Sequence, residues 1–459
     1  MEERLKQALI DIVGKANFTD ALIDLVSYSY DSSDHHHRPE GAVWPVSAEQ
    51  VSRILTLANE NRFPVTPRGA GTSLTGSAVP IRGGLILDMS RMNRILDIRI
   101  PDRLAVVQPG VVYADLERAL APSGFFFPPD PASGSVCTIG GNVATNAGGI
   151  RGAKYGVTSD YVRGLEVVVP DGRIMRCGSD CMKSASGYDL TRLIVGSEGT
   201  LAVITEITLK VSPRPAAFKT ALASFSSLRE AGQAVAEIVS SGIVPSALEI
   251  LDENAITLLR ERASMKLPPA MALILVETDG YTEEEASFQM AKVDDVFRKN
   301  SATHIQVAGS PEESEELWRG RKSIGSLAAQ LRRNNVSEDV TVPMSRVPDL
   351  LTGISVIVSR YGLPFVIFGH AGDGNLHPRI MYDRSDPDQV KLLGKAVEEI
   401  FQLTCNLRGT LTGEHGIGLA KAPYMRLEHD PVAIEMMGKI KRLFDPNNVL
   451  NPGKMSLEG

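Results

Sequence analysis

Cysteine is scarce: four residues, Cys137, Cys177, Cys181 and Cys405, occur in a chain of 459. They are too few and too scattered for a disulfide framework, and they point to a reducing compartment. They form no cluster able to hold an iron–sulfur centre within this chain. Basic residues are not in excess either. Lys and Arg number 48 against 55 Asp and Glu, a net charge of −7, so the chain lacks the electrostatic footprint of a nucleic-acid binder. No apolar run reaches about 18 residues, and the acidic start MEERLK does not read as a signal peptide. A cytoplasmic location is expected, with peripheral attachment to a membrane through a partner left open. What is present is the composition of a soluble globular protein, 43% hydrophobic and 22% charged. The length exceeds one ordinary domain and predicts two or three units.

The stretch around which the chain is organised is 363–382, LPFVIFGHAGDGNLHPRIMY. Two apolar runs flank Asp373-Gly374, which predicts a hairpin with a two-residue turn. Symmetric pairing about that turn sets Gly372 opposite Asn375, Ala371 opposite Leu376 and His370 opposite His377. The Cβ atoms of opposed residues then lie about 5 Å apart on one face. Two imidazoles so placed could share a cation, although a pair alone does not complete a site and a plain cross-strand pair is the other reading. A further ligand is offered by TLTGEHGIG at 410–418, a glycine-rich turn carrying Glu414 and His415. One carboxylate with two neutral imidazoles suits Zn²⁺, Mn²⁺ or Fe²⁺. An exposed loop is the alternative for this stretch.

The front half carries three small-residue blocks. Periodicity predicts a helix within residues 1–25, and His35-His36-His37 reads as a solvated loop. Ser47-Ala48-Glu49-Gln50 followed by Val51, Ile54, Leu55 and Ala58 predicts a capped helix. After the short strand that follows comes PRGAGTSLTG at 67–76, with three glycines and three hydroxyls. Small residues let backbone N–H groups approach a bound anion. The pattern is neither a P-loop nor the G-x-G-x-x-G of a Rossmann turn. The second block, PPDPASGSVCTIGGNVATNAGG at 128–149, has almost no long polar side chains and suits contact with a large ligand. The third, 187–210, holds GSEGTLAVIT and ends in a β-rich run.

Taken together, PRGAGTSLTG, CTIGGNVATNAGG, GSEGTLAVIT, HAGDGNLHP and TGEHGIG resemble the FAD-linked oxidases of the vanillyl-alcohol oxidase and para-cresol methylhydroxylase (PCMH) superfamily. Within it the chain is most similar to the group of flavin-carrying glycolate oxidase subunits and bacterial D-lactate dehydrogenases, from about residue 35 to 455. The resemblance implies an α+β fold. A PCMH-type FAD-binding domain would span 1–212, a substrate (cap) domain with an antiparallel sheet 213–419, and a returning segment 420–459. It implies that Arg68, Gly69, Ala70, Gly71, Thr72, Ser73 and Gly76 cradle the FAD pyrophosphate. Asp130, Pro131, Thr138, Gly141, Asn142, Thr145, Gly148 and Gly149 would line the cofactor. Gly199 and Ile204 would meet its adenine or ribose end, and Asn451 would lie beside the flavin. His370, His377 and Glu414 match the family's divalent-metal ligands (Zn, or Mn or Fe) and His415 its general base. Arg321 and Asn375 match substrate-binding positions. A guanidinium fork fits a carboxylate bidentately.

Two departures refine the expectation. No histidine lies between Val65 and Pro80, and Cys137 is expected to pack rather than bond, so FAD is expected to be non-covalent. D-2-hydroxyglutarate dehydrogenases place a lysine upstream of the metal hairpin, where this chain reads Val336-Ser-Glu-Asp-Val340. That favours a small D-2-hydroxy acid, D-lactate or glycolate, over a dicarboxylate. The implied reaction is oxidation to the 2-oxo acid. His415 would take the hydroxyl proton, a task suited to imidazole, and hydride would pass to flavin N5. Electrons would leave to an iron–sulfur subunit, an electron-transfer flavoprotein or a quinone, and a homodimer is left open. The alternatives are a D-2-hydroxyglutarate dehydrogenase, a flavin electron-transfer subunit of an iron–sulfur complex, and a colourless zinc hydrolase with merely structural glycine loops.

Overall fold

The computed structural model describes residues 1–332 and 334–457. The chain forms two compact units, one from residues 1–147, 157–214 and 414–459, the other from 148–156 and 215–413. Helices and largely antiparallel strands make an α+β protein. No helix among the described residues is long and apolar enough to cross a membrane.

In the first unit the helix after Ser47 runs Ala48–Asn61, and the Ser47 side chain accepts from the Gln50 amide. A serine there satisfies one of the amides that a helix start leaves without an internal partner. Its stripe of Val51, Ile54, Leu55 and Ala58 is buried in a core shared with Val43, Val65 and Leu85. Those residues come from the parallel strands Gly41–Val43, Leu85–Asp88 and Val65–Arg68. The amphipathic start is shorter than its periodicity suggested. Helix Glu3–Val13 stops at Gly14, whose φ of 84° suits a residue without Cβ. A five-stranded antiparallel sheet follows, ordered Ile95–Arg99, Leu104–Val107, Val203–Lys210, Val162–Val168 and Ile174–Gly178.

The C-terminal helix Pro431–Phe444 is fastened by Lys441. Its buried ammonium donates to the carbonyls of Thr200 (3.0 Å) and Leu450 (2.9 Å) and to the Asp445 carboxylate. That turns the following chain back so that Leu450 bridges Val65 in parallel, with Asn451 beside it.

The second unit is built on an antiparallel sheet. Its order is His304–Val307, Ala217–Phe225, Ala272–Gly280, Ala247–Asp252, Phe365–His370, Asn375–Tyr382 and Asn334–Ser337, and Val340–Thr341 also pairs with Asn375–Tyr382. One face packs Leu222, Leu251, Leu273, Leu275, Val366 and Phe368 against helices Glu253–Arg262 and Pro311–Ala329. Successive strand residues point to opposite faces, so the partners of Leu251 and Phe368 in register share that face.

Asp252 ends the strand Ala247–Asp252 and caps the helix Glu253–Arg262 by accepting from the Ala255 amide (2.8 Å). Burial pushes its carboxyl up to about 7 against 3.8 for an ordinary aspartate. The folded state therefore holds a proton that the unfolded chain has released, and stability falls as pH rises through that window. Asp252→Asn keeps the cap and removes the titration. Melting followed from pH 4 to pH 8 should show the variant gaining on the parent as pH rises, by at most roughly 4 kcal/mol. An advantage independent of pH would refute this account.

Candidate functional site

The first unit contains the three small-residue blocks in mutual contact. The loop after strand Val65–Arg68 passes beneath Thr138, which caps the short helix Ile139–Thr145 by accepting from the Gly141 amide (3.2 Å). A Cβ on Gly69 would run into the Thr138 hydroxyl, and one on Gly71, where φ is 71°, into the Arg68 guanidinium. Arg68 itself is buried, 5.6 Å over the Tyr28 ring, and donates to the Ala78 carbonyl (3.3 Å). Thr145 returns a hydrogen bond to the Gly141 carbonyl, and Asn142 is buried in the same helix. Residues 69–73 are less buried than the strand before them, with Ala70 exposed.

Asp130 and Pro131 lie in the loop before Thr138, where the Pro131 carbonyl accepts from the Gly134 amide. Cys137 is free and buried, and burial pushes its thiol up. Ile204 sits in the core of the five-stranded sheet, paired with Val167. Gly148 and Gly149 begin the 148–156 segment of the second unit.

Sequence reasoning named Gly199 but passed over its neighbour. Glu198 is a buried carboxylate at φ 52°, a left-handed conformation that costs a residue with a Cβ. It accepts from the Ser77 hydroxyl (2.7 Å), the Ile417 amide (2.6 Å) and the Gly418 amide (2.9 Å). Its backbone carbonyl accepts from the Asn451 side chain (2.7 Å), which also donates to the Ser77 carbonyl (3.0 Å). Burial pushes the Glu198 carboxyl up while its hydrogen bonds act against that shift. The available signal was a lone charge between two glycines, Gly196-Ser-Glu-Gly199.

Among the described residues the Asn451 side-chain amide oxygen, Oδ1, is buried without a hydrogen-bond partner. An orphaned acceptor beside walls of glycine and hydroxyl fits a large ligand carrying ring N–H groups, as an isoalloxazine does. FAD therefore fits the residues present.

In the second unit the hairpin differs from its expected register. His370 pairs with Asn375 and Phe368 with His377. The loop is Ala371–Gly374, four residues, because only Gly374 has positive φ while a two-residue type I′ turn needs it at both central positions. The Gly374 amide donates to Ala371 O and the Asp373 amide to His370 O instead. The two imidazoles still meet, as diagonal neighbours on one face, with ring centroids 5.0 Å apart and planes at 83°.

Each ring faces a carboxylate. His370 Nδ1 lies 2.6 Å from Glu249 Oε1, and Glu249 is 0% exposed. His377 Nδ1 lies 3.8 Å from Asp339 Oδ1. Glu249 on Nδ1 of His370 fixes the proton there and leaves Nε2 as the basic nitrogen, the usual support of a metal-ligating histidine, whereas the 3.8 Å from His377 Nδ1 to Asp339 is beyond hydrogen-bond reach.

Asp339 accepts from the Asn375 amide group (2.6 Å), the Thr412 hydroxyl (2.6 Å) and the Gly413 amide (3.1 Å). A Cβ on Gly413 would meet Thr341 and Asn375. Gly413 is thus pinned, and Glu414 is the next residue along. Glu414 and His415 begin the return to the first unit, with 3.7 Å between the Glu414 carboxylate and His415 Nε2. The His415 carbonyl accepts from the Thr75 hydroxyl (3.3 Å).

Arg321 donates its Nε to Glu249 (2.6 Å), pairs through a terminal nitrogen with the same carboxylate, and stacks 4.8 Å over Phe368. Asn375 donates to Asp339 and Thr341. Both expected substrate residues are thus on the site face, each engaged with a neighbour.

Residues 39–178 match the FAD binding domain model and residues 214–455 the model of FAD linked oxidases, C-terminal domain. The chain belongs to the FAD-linked oxidase family. It is 42% identical over 453 residues to glycolate oxidase subunit GlcD of Bacillus subtilis, covering 98% of this chain and 96% of that one. A D-lactate dehydrogenase of Anaerostipes hadrus is 35% identical, covering 91% and 90%. The fold matches substrate-bound p-cresol methylhydroxylase with a TM-score of 0.82 at 20% identity, over 98% of this chain and 96% of that one. This FAD-linked oxidase is therefore an oxidoreductase with a PCMH-type FAD-binding domain, as the five motifs implied.

Glu198→Ala leaves three donors without their acceptor among the small-residue blocks expected to line FAD, a buried one costing about 1–3 kcal/mol. Titration of apoprotein with FAD should show binding weakened at least about tenfold, or about 1.4 kcal/mol. Unchanged FAD affinity would contradict the assignment of Glu198 to that lining.

Proposed function

We propose that this protein oxidises a small D-2-hydroxy acid, D-lactate or glycolate, to the corresponding 2-oxo acid with the aid of a divalent cation. The observation that carries the reading is the pair His370 and His377, with ring centroids 5.0 Å apart on one sheet face and the buried Glu249 carboxylate against His370 Nδ1. The names of relatives, a glycolate oxidase subunit and a D-lactate dehydrogenase, support the substrate class. The first of those names also supports a partner subunit as the way out for electrons.

Bound FAD supplies a two-electron acceptor at N5, and a divalent cation supplies Lewis acidity at the substrate oxygens. The chain's own residues do the rest. His370, His377 and Glu414 would hold the cation, with Glu249 fixing the His370 ring. His415 takes the proton of the α-hydroxyl as the Cα–H bond is broken. Asn451, Glu198 and the glycine loop hold the flavin and keep water from its reacting edge.

The test is the visible spectrum of purified holoprotein before and after anaerobic addition of D-lactate or glycolate. Bleaching of the oxidised flavin bands is expected, and a protein that stays oxidised with both acids overturns the substrate assignment. His415→Ala should slow flavin reduction at least about 100-fold with FAD content unchanged. Reduction at the parent rate would remove His415 from its role. Dialysis against a chelator should abolish reduction, and Zn²⁺ or Mn²⁺ should restore it.

A further inference from the structure

Two guanidiniums lie on the sheet face that carries His370 and His377, and their surroundings differ. Arg321 has its charge matched by Glu249, a buried carboxylate that accepts from its Nε and lies in ion-pair contact with a terminal nitrogen, which has no hydrogen-bond partner of its own among the described residues. Arg379 has no such match. It sits two residues beyond His377 in strand Asn375–Tyr382, on the same face and about 7 Å farther along. Its cross-strand neighbours are Val366 and Ser337, neither of them charged. One terminal nitrogen donates to the Gly325 carbonyl, one turn beyond Arg321 on helix Pro311–Ala329. Its Nε is buried without a hydrogen-bond partner among the described residues. Burial pulls its guanidinium below the usual value, and no carboxylate acts against that. Glu338 points to the opposite face, since Ser337 faces Arg379, and Asp339, on the same face as Arg379, is taken by donors from Asn375, Thr412 and Gly413.

A partly desolvated guanidinium with spare donors and no counter-charge is costly to keep unless an anion completes it. Every 2-hydroxy acid carries a carboxylate next to its reacting carbon. We propose that Arg379 is the residue that receives a substrate carboxylate, in the place expected for Arg321, whose charge is already matched by Glu249. Arg321 then serves to neutralise Glu249 and fix its position against His370. The proposal rests on the oxidase reading and adds the chemical feature by which the site recognises its substrate. Its position along the strand from His377 suits the second carboxylate of a longer acid as well as the carboxylate at the reacting carbon.

The test uses holoprotein and the variants Arg379→Met, Arg379→Lys and Arg379→Ala, with FAD content and melting temperature checked first. Anaerobic flavin reduction is followed against concentration of D-lactate and of D-malate, and binding of oxalate is read from the flavin spectrum without turnover. Arg379→Met should raise the half-saturating concentration at least about 30-fold, with the limiting rate nearly unchanged. Arg379→Lys should fall between, because it keeps the charge and loses the fork. Added guanidinium ion should restore part of the affinity of Arg379→Ala, which a purely structural arginine would not allow.

A rise with both acids and with oxalate assigns Arg379 to the carboxylate at the reacting carbon. A rise confined to D-malate and oxalate assigns it to a second carboxylate. Unchanged half-saturation and unchanged oxalate binding in folded, flavin-loaded Arg379→Met overturn the proposal. If neither hydroxy acid reduces the parent protein while oxalate binding still depends on Arg379, the oxidation reading falls and the carboxylate site stands.

Discussion

A carboxylate with no access to water has to be neutralised where it stands, and Glu249 is that group here. A buried ion pair contributes little net stability, but removing one partner leaves a charge that the interior cannot solvate. One oxygen of Glu249 faces His370 Nδ1 and the other takes the Arg321 guanidinium. The first contact sets which nitrogen of His370 carries the proton. The second brings helix Pro311–Ala329 onto the sheet face beside Phe368. Asp339 joins Asn375, Thr412 and Gly413 beside the other strand of the hairpin. His370 is therefore placed by an acid from another strand, not by the hairpin alone.

That explains which parts of this site could be read without coordinates. The pair of histidines, the Glu414-His415 turn and the glycine blocks stand in local patterns, and short motifs carry local geometry. The register of the hairpin did not follow from Asp373-Gly374, because a two-residue turn demands positive φ at aspartate as well as glycine, and Asp373 does not adopt it. Glu249 lies more than a hundred residues before His370 in an ordinary strand, with nothing local to mark it. The same is true of Arg379, which reads as one alternating residue of a strand until its surroundings are known. Arg321 was recognisable as an arginine on the site face, while its partner was not. Pairings between distant strands decide such matters, and one sequence does not display them.

The small-residue blocks follow the same rule on a different scaffold. Their glycines are required where side chains press in, as Thr138 does on Gly69 and Arg68 on Gly71. What joins the blocks is again a buried acid, Glu198, held in a strained backbone conformation by donors from Ser77, Ile417 and Gly418. The two residues proposed for cation and proton, Glu414 and His415, come just before Ile417 and Gly418, whose amides donate to Glu198.

The first unit draws on residues far apart in the order of synthesis. Ser77 and Glu198 emerge early from a ribosome, whereas Gly418, Lys441 and Asn451 arrive with the segment 414–459. Until that segment is made, Glu198 lacks two of its three donors and Val65 lacks its bridge to Leu450. The nascent first unit is therefore an incomplete body through most of translation. The first unit is thereby closed only once the whole polypeptide is available, which couples its completion to full-length synthesis.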